Sequence, residues 1–158
     1  MAMEQNPSRV LFLDVDGVLN NDTWAHEVYA NEGVSVYRED RLEERALLLL
    51  KEIIDRTGAV IVVSSAWRRF PDAYEHLTEW LEKYGMSIYD KTPVLDTYRG
   101  QEISSWLTHH PDVTHYAILD DLDDMGLLLS HFVHTHYMFG LSKKNVERCV
   151  KLLTEGVK

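Results

Sequence analysis

Val10-Leu11-Phe12-Leu13 is an unbroken apolar run that stops on Asp14-Val15-Asp16-Gly17. Apolar residues without alternation are the pattern of a strand covered on both faces, as in a parallel sheet. Ala59-Val60-Ile61-Val62-Val63 repeats the pattern and stops on Ser64-Ser65. His115-Tyr116-Ala117-Ile118-Leu119 repeats it again and stops on Asp120-Asp121. Residues 86–89 predict a short strand between the last two, and residues 132–136 a final one.

Between the strands the apolar period lengthens to three or four. Leu42, Ala46, Leu49, Leu50 and Ile53 form a helical stripe, and Gly58 suits its stop. Pro71-Asp72 opens a helix with Tyr74, Leu77, Leu81 and Tyr84 on one face, closed by Gly85. Arg99-Gly100 precedes a short amphipathic helix carrying Ile103, Trp106 and Leu107. Residues 125–130 predict another helix, and Ser142 caps a last one carrying Val146, Cys149, Val150 and Leu153. Asp90-Lys91-Thr92-Pro93 reads as a turn. Residues 21–40 show no clean period, are broken by Gly33, and read as a flap or short hairpin over the first strand's end. Residues 1–8 read as a loose leader.

Strands alternating with helices predict an α/β fold: a three-layer, Rossmann-like arrangement with a parallel sheet of about five strands. At 158 residues the expectation is one domain over residues 1–158 with a real core. A formal net charge of −10 opposes an extended nucleic-acid surface, which needs a basic stripe. It leaves open a grip on one phosphate through a metal and one or two cations. Cys149 is the single cysteine, so no disulfide can form within the chain. With no apolar run of spanning length and no signal-peptide pattern, a reducing, cytoplasmic location and no membrane partner are expected.

The chemistry gathers at strand ends. Asp14 and Asp16 are two apart, so in extended geometry they point the same way. Like charges at a buried strand end are costly unless a cation lies between them. Carboxylates favour a hard cation such as Mg²⁺, although a solvated Asp-x-Asp-Gly turn is the plainer reading of that stretch. In parallel sheets ligands bind beyond the carboxyl ends of the strands. Three such ends carry Asp14/Asp16, Ser64 and Asp120/Asp121, and their convergence predicts one site. Such a set permits phosphoryl transfer. One carboxylate attacks phosphorus, a second moves the proton, a serine donates to a phosphoryl oxygen, and a cation balances charge.

Asp14-Val-Asp16-Gly-Val-Leu-Asn resembles the first motif of the haloacid dehalogenase (HAD) superfamily in its phosphatase form. Ser64 after its apolar run resembles the second motif, and Asp120-Asp121 after Ile118-Leu119 the acidic fourth. The resemblance covers roughly residues 10–141, with the motifs in the expected order. Val-Ser-Ser-Ala-Trp-Arg, Lys-Thr-Pro, Arg-Gly-Gln-Glu-Ile, Ile-Leu-Asp-Asp and Gly140-Leu141-Ser142 are similar to a compact subgroup that includes HAD domains associated with RNA repair.

The resemblance implies Asp14 as nucleophile and Mg²⁺ ligand. It implies Asp16 as general acid/base, with its backbone carbonyl on the metal. It implies Ser64 on the phosphoryl oxygen, and Asp120 with Asp121 on the metal, Asp124 being a rival to Asp121. For the third-motif cation, Arg99 has the expected position just before a helix, while Lys91 is the usual residue type. Arg68 and Arg69 read equally as substrate contacts or a solvated helix start. Trp67 reads as packing before base stacking, and His131, His134 and His136 as structural or solvated rather than metal-binding.

Neither gap that could hold an inserted cap leaves room for a folded one once the core helices are subtracted. An open site suits a phosphorylated substrate, either a small molecule or a nucleic-acid end, or a lid supplied by a second copy in a homo-oligomer. The reading is a Mg²⁺-dependent phosphomonoesterase working through an aspartyl-phosphate. A phosphotransferase and a non-catalytic phospho-ligand module are the alternatives.

Overall fold

A computed structural model describes residues 6–157. Residues 1–5 of the expected leader lie outside the described residues. Five strands form one parallel sheet: β1 (Arg9–Leu13), β2 (Val60–Val63), β3 (Ile88–Lys91), β4 (His115–Asp120) and β5 (Phe132–His134). Their order across the sheet is β3-β2-β1-β4-β5. The first strand is thus central, flanked by β2 and β4. Strand order turns outward in both directions from β1, which opens a crevice at the carboxyl ends of β1 and β4.

The helices are α1 (Asp22–Glu32), α2 (Glu44–Thr57), α3 (Pro71–Lys83), α4 (Arg99–Thr108) and α5 (Lys143–Thr154). Alternate residues of the strands feed two cores. Leu11, Leu13, Ile61, Val63 and Leu119 pack with Leu47, Leu50, Leu77, Leu81, Val146 and Leu153 from α2, α3 and α5. Val10, Phe12, Val62 and Ile118 pack on the other face with Ile103 and Trp106 of α4. This is the expected three-layer α/β fold, with no large cap.

Five expectations need correcting. Residues 21–40 hold an α-helix, α1, followed by turns, and not a hairpin. Its period is faint because only Ala25 is buried; Tyr29 is 65% exposed. Its ends are well marked: the Asn21 side chain accepts the Trp24 N–H, and Gly33 closes it at φ +71°.

The third strand starts at Ile88, because Met86 ends α3 by donating its N–H to the Leu81 carbonyl. A bulge opposite Ile61 and Val62 then draws Asp90 and Lys91 into the strand, so Lys91 is not in a turn. Residues 126–131 are a 3-10 helix with none of its own residues buried, rather than an α-helix. The last strand ends at His134, leaving His136 in the following bridge to Gly140.

Candidate active site

Hydrogen bonds continue the sheet one residue past each strand end. Asp14 N–H donates to the Leu119 carbonyl at 3.0 Å and Ser64 N–H to the Leu13 carbonyl at 3.0 Å. Thr135 N–H reaches the Asp120 carbonyl at 2.9 Å. Asp14, Ser64 and Asp120 are therefore fixed as a row by backbone, before any side-chain contact is counted.

Carboxylate oxygens of Asp14, Asp120 and Asp121 lie within 4.8 Å of one another. Asp14 and Asp120 are buried, at 4% and 0% exposure, and Asp121 is half-buried. Gly17 makes room for this. It sits at φ +80°, and a Cβ there would overlap the Asp121 carboxylate. Burial raises the Asp14 carboxyl well above the ordinary value of 3.8, the Asp120 charge adds to it, and Arg99 opposes it. Burial also raises Asp121. Three ionised carboxylates beside one guanidinium leave two negative charges uncompensated in a poorly hydrated crevice. Oxygen-only donors gathered this closely suit a hard dication. The residues present thus fit the group.

Arg99 lies in the first turn of α4 and aims into the crevice. Its guanidinium is 3.2 Å from Asp14 and donates to Asp120 at 2.6 Å. Burial disfavours its charge, but Asp14 and Asp120 together outweigh that and raise its pKa. Gly100 permits the approach: its N–H donates to the Asp124 carbonyl at 3.0 Å, and a Cβ would strike the Met125 backbone. Lys91 is elsewhere, with its ammonium 4.7 Å from the Tyr74 ring centroid. Asp124 is also outside the carboxylate cluster. It accepts the Arg99 backbone N–H at 3.3 Å, at the start of α4.

The pairing expected of Asp14 and Asp16 changes in detail. β1 ends at Leu13, and a turn follows, with Leu19 N–H on the Val15 carbonyl at 2.8 Å. The two carboxylates therefore do not share the extended geometry that would point them together. Asp16 is exposed, and its carboxylate stands apart from the Asp14–Asp120–Asp121 cluster. It accepts Asn20 Nδ2 at 2.9 Å and the Trp67 indole N–H at 3.3 Å.

Ser64 Oγ is buried and has no hydrogen-bond partner among the described residues. A buried hydroxyl without a partner costs free energy, so this one is poised for an incoming acceptor. The loop around it is held by Arg68, which is buried rather than solvated. Arg68 pairs with Glu102 at 2.9 Å with both side chains buried, and donates to the carbonyls of Ser64, Ser65, Thr92 and Pro93. Its role escapes sequence reasoning because Glu102 reads as one more solvated helix acid. Nor does the sequence alone give Asn20 and Gly100 a role. The signals lie in the polar residue that follows Val18-Leu19 and the glycine in the first turn of α4.

The histidines take structural places. His131 stacks on Tyr116 with centroids 3.7 Å apart, and His134 bonds the Asp121 carbonyl at 2.9 Å. No helix among the described residues is long and apolar enough to cross a membrane.

A family model for the HAD domain in Swiss Army Knife RNA repair proteins matches residues 10–146. No curated protein and no solved structure matches the chain. The match covers most of the 158 residues and takes in every strand after Arg9 together with Asp14, Ser64, Arg99 and Asp120. The chain belongs to the family of HAD domains found in Swiss Army Knife RNA repair proteins.

Proposed function

We propose that this domain is a Mg²⁺-dependent phosphomonoesterase acting through an aspartyl-phosphate on Asp14. Family membership supports a phosphatase-type hydrolase. The observation that carries the reading is the meeting of Asp14, Asp120, Asp121 and Arg99 at the same sheet edge as a Ser64 hydroxyl with no partner among the described residues.

A dication here would be held by Asp14, Asp120, Asp121 and the Asp16 backbone carbonyl, and would supply charge neutralisation at the phosphoryl oxygens. The chain's own residues carry the steps. Asp14 attacks phosphorus in line with the leaving oxygen. As the new Asp14–phosphorus bond forms, the bond to the leaving oxygen breaks, and Asp16 gives that oxygen its proton. Asp16 then takes a proton from water, the resulting hydroxide attacks phosphorus, and the Asp14 carboxylate leaves with phosphate released. Ser64 Oγ and the Arg99 guanidinium donate to the phosphoryl oxygens throughout.

The open crevice and the RNA-repair setting named by the family support a nucleotide or nucleic-acid end as substrate. The net charge of −10 favours gripping the terminal phosphate over tracking a strand. A cytoplasmic site of action is proposed alongside.

The test is release of phosphate from 4-nitrophenyl phosphate and from 5′- and 3′-phosphorylated oligonucleotides, with Mg²⁺ and with excess chelator. Turnover that needs Mg²⁺ and favours oligonucleotide ends is expected. Phosphate binding without any metal-dependent release would indicate a binding module instead.

A further inference from the structure

Trp67 sits in the 3-10 helix Ala66–Arg69 that follows β2 and is 7% exposed. Its ring packs into the larger core with residues of α2 and α3. Its backbone is pinned on both sides: the Ser65 side chain accepts its N–H at 3.1 Å, and its carbonyl accepts the Phe70 N–H at 3.2 Å. Burial in that core gives the indole N–H a defined direction. That direction is Asp16 Oδ2, at 3.3 Å.

The second oxygen of Asp16 is held as well. Asn20, itself 1% exposed, donates Nδ2 to Asp16 Oδ1 at 2.9 Å and accepts the Gly17 N–H on its Oδ1 at 2.9 Å. A solvent-exposed aspartate would ordinarily sample several rotamers. This one has a donor on each oxygen. Each oxygen still keeps a second lone pair, so the group can accept a proton without losing either contact.

We infer that Trp67 is a positioning residue. Its indole N–H, acting with the Asn20 amide, fixes the Asp16 carboxyl where the leaving oxygen is protonated. The inference rests on the reading of Asp16 as the proton-transfer group. Its physical content is orientation: a proton donor held in one place raises the fraction of bound substrate that is ready to react. The same short connection carries Ser64, three residues before Trp67. One rigid loop thereby sets both the phosphoryl contact and the proton path.

Two variants remove the N–H while keeping a ring in the core. One is Trp67→Phe. The other replaces Trp67 with the benzothienyl isostere of tryptophan, introduced by nonsense suppression, and preserves the ring's shape. Each is folded-state-checked by circular dichroism and assayed on phosphomonoesters of graded leaving-group pKa. Leaving groups that depart without a proton should feel little, and those that need one should feel the loss. For both variants kcat/KM on an alkyl phosphate is expected to fall about tenfold, while that on 4-nitrophenyl phosphate falls less than about threefold. An equal fall across the series, or none in the isostere, overturns the inference. Asp16→Asn run in parallel separates the two levels. If it fails to steepen the leaving-group dependence, Asp16 is not the proton donor and both readings fall. If it steepens the dependence and the Trp67 variants do not, only the role of Trp67 falls.

Discussion

Charge decides most of what single residues do in this protein. Arg99 stands against Asp14 and Asp120, Asp16 is held by two N–H donors, and Arg68 is closed in with Glu102. The last pair joins the Ser64 loop to the residue 92–95 segment and to α4, since Glu102 also accepts the Leu95 N–H at 2.9 Å. Burial pushes the Arg68 pKa down and Glu102 pulls it back up, so removing the partner exposes the cost. Glu102→Gln should lower stability by about 3 kcal/mol in urea unfolding, because it leaves a buried guanidinium without its counter-charge. A change within about 0.5 kcal/mol would show that the carbonyl contacts alone suffice. Asp14, Ser64 and Asp120 were legible because each terminates an apolar run, which marks both a strand and its end. Arg68 and Trp67 were not. Their partners lie on other elements, and no local pattern reports a contact between side chains distant in sequence.

At the scale of elements, one turn built on glycine brings the chemistry together. Gly17 lets the β1 turn close onto Asp121, and Thr135 Oγ1 donates to the Gly17 carbonyl at 2.8 Å. Gly17→Ala meets a left-handed backbone and a displaced carboxylate at once. It should cost about 1–2 kcal/mol from the backbone conformation and abolish any thermal stabilisation by Mg²⁺. Wild-type stability and an intact Mg²⁺ response would contradict the close-approach argument. The helices α2, α3 and α5 were readable from their stripes, because each buries one face against the sheet. The helix α1 was not, because it buries almost nothing and only its caps betray it. The edge strand β3 was placed two residues early because an edge needs no continuous apolar run.

For the molecule as a whole, the sheet order concentrates acid at one crevice while the chain already carries a net charge of −10. Asp14 and Asp121 both have carboxyl pKa values raised by burial. A raised carboxyl favours the metal-free fold fully below the ordinary value of 3.8 and withdraws that support as pH climbs through the folded-state value. Metal-free Asp121→Asn should therefore melt above wild type at neutral pH, with the gap closing towards pH ~4. It should also lose most of the Mg²⁺-induced rise in Tm expected of wild type. A variant less stable than wild type at neutral pH, with an undiminished Mg²⁺ response, would remove Asp121 from the metal site. The parallel fold and its site edge were legible from alternation alone. The separation of Asp16 from the other acids was not, because it depends on where β1 stops and the turn begins. In the proposed reaction Asp14 receives the phosphoryl group. Mass spectrometry of the peptide containing Asp14, after acid quench of a reaction with 4-nitrophenyl phosphate and Mg²⁺, tests it most directly. One phosphate on Asp14, absent together with turnover in a folded Asp14→Asn variant, is the expected result. Full turnover in Asp14→Asn, or phosphate trapped on another residue, would contradict it.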